Sequence, residues 1–301
     1  MFKMTRRQAL SLLAAGTTTA ALASCVGPGS PEDDTITVGS KGFTESWIMG
    51  ELYAQLLRAR DYNVAIKTNV GSTDIINTAL TSGRIDLYPE YTGVIVVVLA
   101  GNDEVLGTAE QTYRLAKEYE ASKGIALLEP TPFENKNAIA VTSEFAAKHQ
   151  LSTISDLQGI GDFLYSTYPA NVTGGQGYEG IVKNYDLPNM KLKTLSIGLN
   201  YGAIERGEIQ AADVFTTDPQ LLRSDLVVLE DNHKLFGFQN VSPAIREDTL
   251  ARVGDDVPKA LNQLSGLLTL EAMQAMNEAS AINRLDPAQV AKKFLSANNL
   301  I

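Results

Sequence analysis

Along residues 35–145 the spacing of hydrophobic positions switches period at regular intervals. TITVGS (35–40) alternates and stops at Gly-Ser, the pattern of a strand running into a loop. TESWIMGELYAQLLRAR (44–60) then sets Trp47, Ile48, Leu52, Leu56 and Ala59 near helical spacing, with Thr44 as candidate N-cap. VAIKTNV (64–70) predicts a second strand, STDIINTALTSG (72–83) a helix closed by Gly83, and IDLYPE (85–90) a third strand. AEQTYRLAKEYEASKG (109–124) is an amphipathic helix, and NAIAVTSEF (137–145) returns to strand. Alternation of this kind predicts an α/β fold with parallel packing.

The pattern then starts again. DFLYSTY (162–168), a GGQG loop (174–177), the short helical EGIVKNY (179–185), the strand MKLKTLSI (190–197), a helix ending at Gly207 and the strand IQAADVF (209–215) form a second set. The tail after Asp255 is helical, with Thr269 and Asp286 as caps and Pro287 in a first turn. A shift of 124 positions lays NTALTSGRIDLYPEY (77–91) over YGAIERGEIQAADVF (201–215), pairing Gly83 with Gly207, Ile85 with Ile209 and Tyr91 with Phe215. Each half therefore carries helix, glycine, strand and then an aromatic ring. Ligands of parallel α/β sheets bind beyond the carboxyl ends of strands, so Tyr91 and Phe215 are expected to meet across a cleft between two lobes.

A length of 301 residues suits two lobes, with 44% hydrophobic and 20% charged residues. The net charge of −10 argues against nucleic acid as a partner, because no basic patch is present to neutralise phosphates. Residues 1–24 combine a basic start (Lys3, Arg6, Arg7) with a small-residue and apolar stretch, the composition of an export signal. LASC before the linker VGPGSPEDD resembles a bacterial lipobox, making Cys25 the expected lipidation site and residues 25–35 the lipidated cysteine and its tether. Arg6-Arg7 resembles a twin-arginine signal, with Ala9 departing from it. Cys25 is the only cysteine, so the chain forms no internal disulfide.

Catalytic chemistry finds little footing. His149 and His233 lie in polar surroundings with no nucleophile or ligand spacing, and no zincin, nucleophile-elbow, phosphate-loop or dinucleotide motif occurs. Asp86 and Glu90 are the only carboxylate pair near the strand end, and four positions along one strand do not fix a substrate between them. The expectation is no enzyme, no cofactor and no metal. What remains are aromatic rings at loop positions: Tyr88, Tyr91, Tyr201 and Phe215. A quaternary ammonium has no hydrogen-bond donor, so a selective site offers π faces, each worth about 0.5–2 kcal/mol.

GSKGFTES (39–46), GSTDIINTALTSGRIDLYPEYTG (71–93), GLNYGAIERGEI (198–209) and VFTTD (214–218) together resemble the substrate-binding proteins of ABC importers for glycine betaine, choline, carnitine and related osmoprotectants. The resemblance implies a two-lobed periplasmic-binding-protein fold of type II, the venus-flytrap form, with an ABC permease and its ATPase as partners. It implies lobe I from 36–138 plus 239–301, lobe II from 139–238, and hinges near Asn137–Ala140 and Gln239–Pro243. The family's cage tyrosines fall on Tyr91 and Tyr201, a third aromatic on Phe215, and a fourth tyrosine on Asn137. Its loop lysine is Lys41, while Val94 and Gly174 stand where it has a threonine and an arginine. Asp74, Asn77, Asn137 and Gln176 are the polar residues left to orient a ligand. The resulting ligand-binding set is Lys41, Asp74, Tyr91, Asn137, Tyr201 and Phe215, in a monomeric, membrane-tethered, extracytoplasmic receptor. An extracytoplasmic sensor or interaction module on the same fold is the alternative.

Overall fold

The computed structural model describes residues 34–102, 106–196 and 198–301. The expected export signal and Cys25 lie outside the described residues. Thr35–Ile301 form one unit containing two five-stranded sheets. Strands β1 (Ile36–Gly39), β2 (Val64–Lys67), β3 (Leu87–Tyr91) and β4 (Ile125–Leu127) build the first sheet. The chain then crosses to β5 (Asn137–Thr142), β6 (Phe163–Thr167), β7 (Met190–Thr194), β8 (Ala211–Phe215) and β9 (Leu226–Val228), and returns as β10 (Val241–Arg246). The strand orders are β2-β1-β3-β10-β4 and β7-β6-β8-β5-β9.

These sheets are mixed, which corrects the expectation of wholly parallel packing. In each, the strand that has just crossed between lobes runs antiparallel to the central strand: β10 against β3 and β5 against β8. Asn137 and Ala138 pair with Phe215 and Val214 in the second sheet, although the sequence reading placed them in lobe I. The crossing segments are 128–136 and 229–240. They touch through a Glu134–Asn240 bridge and an Asn135 N–H donating to the Gln239 carbonyl at 3.1 Å. Gln239 thus lies where a hinge was expected, whereas Asn137–Ala140 lie inside β5.

The internal echo is structural. Helix α1 (Thr44–Arg58) covers the first sheet, and helix α2 (Thr73–Thr81) precedes β3 as the helix Leu199–Glu205 precedes β8. Shifting Leu87–Tyr91 by 124 gives Ala211–Phe215, the bounds of β8. Gly83 and Gly207 both take left-handed backbone, φ 75° and 72°, where a side chain is strained and the chain must reverse from helix into strand.

Thr44 is the first helical residue of α1 and Phe43 the cap position. Thr269 and Asp286 do cap, accepting from Ala272 N and Ala288 N. Leu52, Leu56, Leu261, Leu264 and Leu295, on α1 and the helices Asp256–Leu267 and Pro287–Ala297, share the lobe I core. Burial of each leucine is worth about 1.5–3 kcal/mol. Ile139, Val141, Phe163, Tyr165 and Tyr185 centre the lobe II core.

Candidate functional site

A cleft of about 870 Å³ opens between the lobes at the carboxyl ends of β3 and β8. Lobe I contributes Lys41, Phe43, Glu45, Thr73 and Tyr91, and lobe II contributes Asn137, Gln176, Phe215 and Asp218. Of the six expected ligand residues, the fold brings Lys41, Tyr91, Asn137 and Phe215 together on the cleft surface. Asp74 and Tyr201 do not line it. Asp74 is exposed on the first turn of α2. The Tyr201 ring packs among Ala138, Ala212 and Val214, and its hydroxyl donates to Asp218 Oδ2 at 2.7 Å. Asn77 turns away as well, donating to Glu120 Oε1 at 3.4 Å.

In the lobe I wall one acid is balanced by a lysine. β3 alternates, but every one of its residues is buried, so Glu90 sits in the interior facing Lys41. Lys41 Nζ lies 2.5 Å from Glu90 Oε1 and donates to Thr73 Oγ1 at 3.0 Å. Glu90 also accepts from Tyr91 N at 2.8 Å and from the Tyr88 hydroxyl at 3.1 Å. Tyr88 therefore braces the strand end. Asp86 points elsewhere, accepting from Thr37 N and Thr249 Oγ1, so it does not form a working pair with Glu90. A buried pair of this kind is held by geometry and by the extra hydrogen bonds on both charges.

Tyr91 presents its ring and anchors its hydroxyl. The hydroxyl donates to Glu45 Oε1 at 2.7 Å, and burial, then the Glu45 charge, push its pKa well above the ordinary phenol value. Phe43 stands 6.2 Å from Tyr91 between ring centroids, and Lys41 Nζ lies 5.4 Å from the Tyr91 centroid. Among the described residues Glu45 itself accepts only from neutral donors, including Asn135 Nδ2 and Asn277 Nδ2, both at 3.0 Å. Asn277 also reaches the Thr217 carbonyl at 3.1 Å, and Gln274 the Thr216 carbonyl at 2.8 Å, which ties the helix Leu270–Asn277 to lobe II.

The lobe II wall is acidic. Asp218 accepts from Phe215 N at 3.0 Å as well as from Tyr201. Asp213, behind Asn137, accepts from Asn137 Nδ2 at 3.1 Å, Thr167 Oγ1 at 2.7 Å and Asn171 Nδ2 at 3.0 Å. Burial raises both acids, Asp213 to about 6, while these donors pull the other way. Among the described residues no lysine or arginine pairs with Glu45, Asp213 or Asp218, and Lys136 on the cleft rim is engaged by Glu134 at 2.8 Å.

Phe43, Asn277 and Asp218 are cleft residues that the sequence reading did not select. Phe43 sits inside the quoted GSKGFTES loop, and Asp218 ends VFTTD. Asn277 was legible only as a polar residue spaced among the apolar Met273 and Met276 of one helix. His149 and His233 lie away from the cleft; His233 is exposed and stacks on Tyr185 with centroids 4.4 Å apart.

Residues 34–297 match the family model described as the substrate binding domain of ABC-type glycine betaine transport systems. The chain belongs to this family. It is 29% identical over 285 residues to the glycine-betaine-binding protein of Pseudomonas aeruginosa, covering 91% of each chain. It is 27% identical to the carnitine transport binding protein OpuCC of Listeria monocytogenes over 92% of each. A solved structure titled as a glycine betaine/carnitine/choline ABC transporter superposes with a TM-score of 0.82 at 23% identity, over 88% of this chain and 99% of that one. The protein is thus a substrate-binding protein of an ABC importer, with the two-lobed fold of the periplasmic binding proteins. Its place in the transport system is to bind a solute outside the cytoplasm for a membrane transporter.

Proposed function

We propose that the receptor captures a small quaternary ammonium cation, of the choline type, in preference to a carboxylate-bearing betaine. The observation that carries this reading is the charge inventory of the cleft. Both of its lysines are already held by glutamates, Lys41 by Glu90 and Lys136 by Glu134, while Glu45 and Asp218 face it with neutral donors only. A methylated ammonium gains from π faces and from nearby carboxylates that need not receive a hydrogen bond. Phe43, Tyr91 and Phe215 supply the faces as an open cage. Three faces with excluded water approach the roughly −8 kcal/mol of micromolar binding. The carboxylate of a zwitterion would need an unengaged cation, and Gly174 stands where the family has an arginine.

Capture and release proceed with no bond made or broken. The partners are an ABC permease and its ATPase, Cys25 carries the lipid anchor, and the mature chain acts as a monomer on the extracytoplasmic face. Calorimetry with choline, glycine betaine and carnitine tests the ligand assignment. Choline is expected to bind at least several-fold more tightly than glycine betaine; a preference for glycine betaine would overturn it. Metabolic labelling with a fatty acid, lost in Cys25→Ala, tests the anchor.

A further inference from the structure

Lobe II holds a second, much smaller pocket beside the cleft. It offers about 20 Å³, and its polar residues Thr167, Tyr168, Ser196, Asn200, Asp213 and Asp218 are set among Leu195, Gly198 and the cleft ring Phe215. That is room for about one water-sized body. Its polar lining is made of oxygen acceptors: two carboxylates, an amide oxygen and three hydroxyls. Asn200 is only 7% exposed, and its Nδ2 donates to the Asp213 carbonyl. Its Oδ1 is buried and has no hydrogen-bond partner among the described residues. Asp213 is 5% exposed and lies near enough to Asp218 for that charge to push its pKa up. Two neighbouring carboxylates sheltered from water, with no cationic side chain beside them among the described residues, carry a desolvation and repulsion cost that a bound cation removes.

We propose that this pocket binds one monovalent metal cation of about sodium size. Asn200 Oδ1 and the Asp218 carboxylate are its principal ligands, with Asp213, Thr167 and Ser196 completing an all-oxygen shell. Oxygen donors suit a hard alkali cation. Asp213 already accepts three hydrogen bonds, which weakens the site for a divalent ion that demands full carboxylate coordination. Ser196 is exposed, so the rim of the pocket meets solvent. The site shares Asp218 with the cleft, so an ion held here lowers the charge that the lobe II wall offers a cationic ligand.

Thermal unfolding of the ligand-free protein, with sodium chloride exchanged for caesium chloride at fixed ionic strength, is the test. The midpoint is expected to rise saturably with sodium, because caesium is too large for the pocket. Sodium NMR of the same protein is expected to show a broadened line, and Asn200→Ala and Ser196→Ala to weaken both responses. An ammonium chloride arm separates a metal site from one that takes any small cation: a response equal to that of sodium overturns the metal assignment. A wild-type midpoint indifferent to the exchange, with an unbroadened sodium line, overturns the proposal and leaves the pocket to water. Both wild-type readouts decide the matter even if Asn200→Ala fails to fold.

Discussion

The two lobes bring homologous strand ends to one cleft and charge them differently. At the end of β3 a lysine reaches across to the buried Glu90, which leaves Glu45, bonded to the Tyr91 hydroxyl, as the lobe I cleft acid held by neutral donors. At the end of β8 the acids Asp213 and Asp218 are held by amides, hydroxyls and one backbone N–H. The same helix–glycine–strand unit thus ends in one lobe at an acid paired with a lysine and in the other at acids held by neutral donors. The proposed preference for a cation rests on Glu45 in lobe I and on the acids of lobe II.

Breaking the balance of lobe I should have the largest effect. Glu90→Gln leaves Lys41 buried with only neutral acceptors, which costs about 3–5 kcal/mol. A midpoint fall of roughly 6–20 °C in thermal unfolding is expected at about 2–4 °C per kcal/mol. The freed ammonium should also narrow the gap between choline and glycine betaine; an unchanged midpoint and ratio would show that Lys41 needs no counter-charge. Asp218→Asn acts on the other wall. Removing its charge should weaken choline by about fivefold or more, because unit charges about 4 Å apart attract by about 1 kcal/mol even in water, and leave glycine betaine nearly unaffected. Equal losses for both ligands would place charge selection elsewhere.

Protonation sharpens the contrast without mutation. Asp213 titrates near 6 in the folded chain against 3.8 for an ordinary aspartate, because burial opposes its charge. Its contribution to stability is therefore full below about pH 4 and is lost as the pH rises through 6. Glu120, buried behind Glu90 and raised to about 7, acts in the same direction. The ligand-free protein should be more stable at pH 5 than at pH 7.5, while choline affinity falls by about twofold to fivefold, as expected for loss of a screened charge. Calorimetry and thermal scans at both values check the pair of trends. The smallest effect is expected from Tyr201→Phe, which removes one hydrogen bond to Asp218. About a threefold loss for choline is expected from a net bond of about 0.5–1.5 kcal/mol. The choline-to-betaine ratio should move with it, which a merely structural role would leave still.

Much of this was legible in the chain because α/β units announce themselves through hydrophobic period and terminal glycines. The Gly83 and Gly207 reversals and the Tyr91–Phe215 match survive intact in three dimensions. Partnering was less legible. Nothing in local spacing says that Lys41 is claimed by Glu90, 49 positions on, or that the Tyr201 hydroxyl turns to Asp218. β10 overlaps the joining strand expected as a hinge at Gln239–Pro243, and its antiparallel place was not legible because it depends on where the chain crosses between lobes. Asn277 reached the site from the far end of the sequence, 232 residues from the Glu45 carboxylate it holds.

That last contact has a mechanical meaning. One Asn277 amide grips a lobe I carboxylate and a lobe II carbonyl at once. Rotating the lobes apart exchanges its hold on Thr217 for water, at a net cost of about 0.5–1.5 kcal/mol. With the Gln274 bond to Thr216, that hold is one of the contacts that a difference in affinity between the two shapes must outweigh. The side-chain amide resonance of Asn277 is then a natural gauge of how far the jaws have travelled, readable without attaching any probe.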